Sequence, residues 1–215
     1  QAEMLCRRPS RAHTVYPAFD PERHVITDAD LPLDALRHDG AVRWLGGLDF
    51  GFRSPTVFLW AVRLPDDVLV IVDELVVTDR LAEEVILAAA ARPWPRPEWI
   101  GADPAGHARS LESGTSLARL WTRHGWSIRT TRLSVERGIQ MVAARLADGA
   151  GRDRLRIHHR CTELIRALTT YHYDQPDHPD AVPVKDGSDH AADALRYLIT
   201  TLDRPPRAVR MTRYA

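Results

Sequence analysis

The chain has 215 residues, 44% of them hydrophobic, with 29 basic and 29 acidic side chains. That is long enough to bury one sizeable core and too evenly charged for a uniformly basic nucleic-acid coat. Two cysteines, Cys6 and Cys161, exclude a disulfide-dense scaffold and any multi-cysteine zinc site, and no apolar run approaches the ~18 residues of a membrane helix.

Residues 1–40 are rich in Pro and Asp with weak periodicity, and read as an arm or linker. They open on Gln1 in QAEMLCRRPSRAH, which lacks the apolar centre of a secretory signal. The expectation is an excised or processed piece of a larger machine. From Arg43 the pattern changes. Arg43–Phe50 is a short apolar run ending in Gly-flanked turn chemistry, as a buried strand would be. Thr56–Leu64 and Val68–Val77 are rich in β-branched residues and are separated by Pro65-Asp66-Asp67, a hairpin turn. These three runs form an antiparallel meander. Thr78 or Asp79 can cap a helix over Arg80–Ala91, stopped by Pro93.

Glu98–Ala102 is a fourth strand, followed by the turn Asp103-Pro104-Ala105-Gly106. A helix over Ser116–His124 ends at Gly125, and Trp126–Arg129 is a fifth strand. Helices over Ser134–Ala147, Thr162–Thr170 and Ser188–Leu202 follow, with a short Leu155–Ile157 strand and a polar loop at Tyr171–Gly187 between them. A meander followed by βαβ crossovers gives an α/β fold, one mixed sheet of five or more strands flanked by helices. The natural strand order is 3-2-1-4-5, with strands 1 and 4 adjacent and parallel. Residues 41–203 then form the domain, and 204–215 a basic tail with four arginines and no acid.

Charge is distributed unevenly. Between Thr115 and Arg160, ten arginines face three acids, while the flanking segments are acidic. A basic stretch beside acid-rich ones suits a protein that grips phosphates and holds cations nearby. Arg119, Arg123, Arg129, Arg132 and Arg137 are the candidate phosphate contacts. Solvated helix faces explain such a stretch equally well.

The acids that interrupt apolar ends are more informative. Asp49 follows Gly46-Gly47-Leu48, and Asp103 follows Trp99-Ile100-Gly101-Ala102. If their strands are neighbours, both carboxylates emerge at the sheet edge where open α/β sheets bind ligands. Paired carboxylates repel and favour a cation between them, and hard oxygen ligands select Mg²⁺ or Mn²⁺. The last helix supplies more: at ~100° per residue, Asp193 falls about 40° from Asp189 and His190 about 60° beyond it. Ala191, Ala194, Leu195, Leu198, Ile199 and Leu202 occupy the side that would face the sheet. Each acid has a plain structural alternative as a turn former or helix cap. Glu74, inside an apolar strand, is either an accessory acid or a charge that protects an edge strand. Lys185, the only lysine, could reach a phosphate from the loop before the last helix.

At these residues, GLDFGFRSPTVFLWAV, WIGADPAG and KDGSDHAADALRYLI, the sequence resembles the nuclease domain of the tailed-phage terminase large subunit over roughly residues 41–203. The resemblance implies a ribonuclease-H-like fold and an endonuclease that cuts concatemeric double-stranded DNA during packaging in the cytoplasm of the bacterial host. Carried over by position, Asp49, Asp103 and Asp193 match its acidic triad, with His190 or Asp189 as a further metal ligand. Two Mg²⁺ or Mn²⁺ ions and phosphodiester hydrolysis would follow. Residues 1–40, with Tyr16-Pro17-Ala18-Phe19-Asp20, are similar to the segment that joins this nuclease to an ATPase domain. No phosphate-binding Gly-x-x-x-x-Gly-Lys-Ser/Thr occurs here, so the chain is not expected to hydrolyse ATP. Portal protein and small terminase subunit are the implied partners. A Holliday-junction resolvase or transposase-like nuclease of the same fold, and a non-catalytic docking module of a packaging motor, are the alternatives.

Overall fold

In a computed structural model, the structure describes residues 13–204 apart from 52–53, 109–114, 176–177, 179–180 and 188. In chain order the elements are α1 (Pro21–His24), β1 (Val25–Ile26), α2 (Leu33–Leu36), β2 (Arg43–Asp49), β3 (Thr56–Arg63), β4 (Leu69–Val77), α3 (Ala82–Ala90) and β5 (Ile100–Ala102). A 3₁₀ turn (Pro104–His107) precedes α4 (Leu117–Arg123), β6 (Ile128–Thr130), α5 (Val135–Leu146), β7 (Leu155–His158), α6 (Thr162–Thr170) and α7 (Asp189–Leu202).

The strands form one mixed sheet in the order β1-β7-β4-β3-β2-β5-β6. Its β4-β3-β2-β5-β6 part is the expected order of meander and crossovers, with β2 and β5 parallel. Two strands extend it: β7 runs parallel beside β4, and β1 runs parallel beside β7. β4 is therefore an interior strand, which overturns the reading of Glu74 as an edge-protecting charge. The segment ahead of residue 41, read in sequence as an arm or linker, contributes β1 to the sheet and buries Val15, Tyr16 and Phe19 in the core. The tail beyond Arg204 lies outside the described residues.

Both faces of the sheet are covered. On one, α5, α6 and α7 close over Leu45, Leu59, Leu69, Ile71 and Ile157. On the other, α3 and α4 cover Leu48, Phe58, Trp60 and Val72, with Trp121 and Trp126 edge-on to each other. The central strands read as nearly continuous apolar runs because both of their faces are buried. Ser116 and Ser134 cap α4 and α5 through their hydroxyls, as their sequence positions suggest. The α3 start differs. Asp79 takes a positive φ of 54°, the helix begins at Ala82, and the Glu84 carboxylate accepts the Leu81 N–H at 2.9 Å. A side chain inside the first turn thus does the capping that Thr78 or Asp79 was expected to do.

Glycine spacing determines where α7 lies. Gly47 and Gly101 occupy neighbouring positions on β2 and β5. A Cβ on Gly47 would run into the Ala194 carbonyl, and one on Gly101 into the Tyr197 carbonyl. The backbone of α7 therefore rests directly on the sheet at these two points. With a side-chain period of two, residues 49 and 103 emerge on the face that carries the helix.

Candidate active site

Leu48 faces Ala102 across the parallel β2–β5 ladder, so Asp49 and Asp103 are the next residues on adjacent strands, about 5 Å apart at the backbone. α7 crosses above them and presents Asp193 from its second turn. Asp49 and Asp193 are buried at 7% and 9% exposure, whereas Asp103 is half-buried. Burial pushes the Asp49 carboxyl above the usual carboxylate range. The His190 hydrogen bond opposes that shift, and the fields of Asp193 and Asp103 add to it. Three carboxylates from distant parts of the chain thus share one electrostatic neighbourhood at the carboxyl ends of two parallel strands.

Each acid gives one oxygen to a protein partner. Asp49 Oδ2 meets His190 Nδ1 at 2.9 Å. Asp103 Oδ1 accepts the Ala105 N–H at 2.9 Å, which locks the 3₁₀ turn. Asp193 Oδ1 accepts from Arg196 Nε and Nη2 at 3.1 and 2.8 Å. Among the described residues the other oxygen of each carboxylate has no hydrogen-bond partner. The Asp49 carboxylate in turn raises the pKa of His190, its hydrogen bond being the largest cause.

Asp103 and Asp193 line a cleft of about 840 Å³, together with Lys185, Arg132, His107 and Tyr197. Of the five arginines proposed to hold DNA, Arg132 is on its wall. Arg119 and Arg123 ride on α4, which packs on the opposite face of the sheet. Arg129 lies over the Trp99 ring at 5.3 Å, and Arg137 donates to Gln140. Lys185 is exposed at the cleft, where a phosphate contact would require it.

Two other candidates turn elsewhere. Asp189 Oδ1 accepts the Gly187 N–H at 3.1 Å and so fixes the loop entering α7. Glu74 Oε1 and Oε2 accept the N–H groups of Glu163 and Leu164 at 2.7 and 2.9 Å, capping α6 from a neighbouring strand. Its sequence neighbour Asp73 points to the other face and binds Trp94 Nε1 at 2.7 Å. Arg196 was not anticipated as part of the site. Its signal was the i, i+3 spacing from Asp193, which places opposite charges together on a helix.

Among the described residues, one trio of His and acid side chains brings its ligand atoms within 4.8 Å of one another: Asp28, His158 and His159. The acids at 49, 103 and 193 stand further apart, with Asp49 drawn to His190 and Asp193 to Arg196. In the trio, Arg160 Nε donates to His158 Nδ1 at 2.9 Å, which leaves the ring proton on Nε2. Arg160 Nη2 pairs with Asp28 at 3.0 Å. The guanidinium is the cation of that cluster.

Residues 46–202 match the family described as Terminase RNaseH-like domain. No curated protein matches the chain. Among solved structures, a large terminase from a thermophilic bacteriophage is similar with a TM-score of 0.67 and 21% identity, over 87% of this chain and 44% of that one. The nuclease domain of the P22 large terminase has a TM-score of 0.65 and 18% identity, covering 86% of this chain and 89% of its own. The large terminase nuclease from thermophilic phage G20c with bound magnesium has a TM-score of 0.52 and 12% identity, over 76% and 84% of the two chains. The chain thus spans less than half of the first of these large terminases and most of the isolated nuclease domains.

Proposed function

The chain belongs to the terminase RNaseH-like domain family, and from that premise we propose that it is the metal-dependent endonuclease of a phage DNA-packaging motor, cutting concatemeric double-stranded DNA. The observation that carries this reading is the convergence of Asp49, Asp103 and Asp193, from β2, β5 and α7, on one neighbourhood beside an open cleft.

The donor set suits hard divalent ions. It offers three carboxylates, each with an oxygen unclaimed among the described residues, and contains no thiolate. Asp49, Asp103 and Asp193 would hold two Mg²⁺ or Mn²⁺ ions, with rotation of the Asp49 side chain bringing its oxygens closer to the other two acids than they now stand. Ions bound there would supply an activated water and charge relief at the leaving oxygen. The protein's own groups do the rest. Asp103 is held by its turn and Asp193 by Arg196, so their orientation is set before substrate arrives. His190, on Asp49 Oδ2, is placed to take up or release a proton beside the reacting phosphate. Lys185 and Arg132 hold the DNA backbone at the cleft without reading its sequence.

Family membership supports a wider role. Residues ahead of 41 would lead from an ATPase domain, portal protein and small terminase subunit would be partners, and the host cytoplasm would be the place of action. The test is a supercoiled-plasmid nicking assay with Mg²⁺, Mn²⁺, Ca²⁺ or EDTA. Cutting in Mg²⁺ or Mn²⁺ and none in EDTA supports the reading; metal-independent cutting refutes it.

A further inference from the structure

We propose that Arg196 is a positioning residue for the cation site, holding the Asp193 carboxylate so that Oδ2 faces the incoming ion. This rests on the reading of Asp193 as a ligand and adds a residue to that site.

Four features of its geometry agree. Nε and Nη2 of Arg196 converge on the same oxygen, Oδ1, so the fork pins that oxygen, and among the described residues Oδ2 has no hydrogen-bond partner. Both partners are buried, with side-chain exposures of 8% and 12%, and the bond is therefore little loosened by water. The guanidinium lies over the Tyr197 ring at 4.6 Å, which holds it from a second side. On α5, Gly138 makes room for it: a Cβ there would come within 2.7 Å of Arg196 Cγ and Cδ. A helix that gives up a side chain to seat an arginine stem, and an aromatic ring that supports its head, together over-determine one orientation. Partners behind a metal ligand typically change metal affinity by ~10–100-fold when removed. Lysine carries the charge but cannot present two N–H groups in a plane to one oxygen.

A competing role predicts the opposite sign. Were Arg196 merely a resident counter-ion on Asp193, its removal would strengthen cation binding.

The test measures Mn²⁺ binding by the electron paramagnetic resonance of free Mn²⁺, on the chain and on Arg196→Met, Arg196→Lys and Asp49→Asn, each first checked by thermal melting. The expected result is affinity ~10–100-fold weaker in Arg196→Met, a smaller loss in Arg196→Lys, and the largest loss in Asp49→Asn. Folded Arg196→Met with unchanged or tighter Mn²⁺ binding overturns the proposal. If Arg196→Met does not fold, Arg196→Lys decides in the same way. Asp49→Asn that binds Mn²⁺ normally would instead refute the site itself, so the two failures are distinguishable.

Discussion

The carbonyl of Ala194 occupies the place that a side chain on Gly47 would take. That close approach seats α7 on β2 and carries Asp193, one residue earlier on the helix, above Asp49. Gly101 repeats the device on β5 against Tyr197. The two glycines thus set the height of the helix that completes the acid cluster.

Gly47→Ala should therefore lift or tilt α7. The expected cost is on the order of 1–3 kcal/mol, as for overpacking a filled core. DNA cutting should fall by more than stability explains, because the third acid is displaced while the other two stay. Urea melts and plasmid nicking on the same preparation check this, and full activity in a destabilised variant would contradict it.

DNA binding should follow the cleft rather than the charge count. Lys185→Ala and Arg132→Ala are expected to weaken duplex binding and to reduce the slope of log K against log salt by about 0.9 for each phosphate no longer neutralised. Arg119→Ala and Arg123→Ala, on the far face, should leave that slope unchanged. A filter-binding salt titration of the four variants separates the two groups.

Arg145 ties the far end of the domain together. It is 1% exposed, and donates to Asp203 Oδ1 and Oδ2 at 2.6 Å and to the Asp67 carbonyl at 3.1 Å. It joins the end of α7 to the β3–β4 turn. Arg145→Met should destabilise toward the lower end of the ~3–5 kcal/mol expected for a broken buried pair, since Asp67 and Asp203 keep about a third of their exposure. Chemical denaturation measures it.

Acid should weaken the fold through His158. Burial and the nearby Arg160 hold its pKa below the ordinary imidazole value. Below about pH 6.5 the unfolded chain takes up a proton that the folded chain refuses. Stability is therefore lost as pH falls from there toward the lower folded-state pKa. His158→Asn should flatten this part of the profile, as read from urea midpoints between pH 7 and 5.

Much of this was legible in the sequence. The meander, the parallel β2–β5 pair and the acids at their ends come from local pattern and from the short, right-handed connections open to it. Ser116 and Ser134 announce their helices because capping is a local interaction. What was not legible is non-local. On β4, Val70 and Ile71 pair with Arg156 and Ile157 of β7, beyond two intervening strands and three helices, and no local pattern announces such a partner. The two residues of β1 are too few to show a period. Glu74 satisfies N–H groups 89 and 90 residues away, so its role became visible only once α6 was in place. At the site, the helical spacing brought Asp189, His190 and Asp193 together but could not tell them apart. The structure sends Asp189 to the loop and His190 to Asp49.

The most direct test of the account is anomalous diffraction from crystals soaked in Mn²⁺. Peaks bounded by Asp49, Asp103 and Asp193, absent in Asp49→Asn, are expected. Ordered Mn²⁺ at Asp28, His158 and His159 with none between the three acids would contradict it.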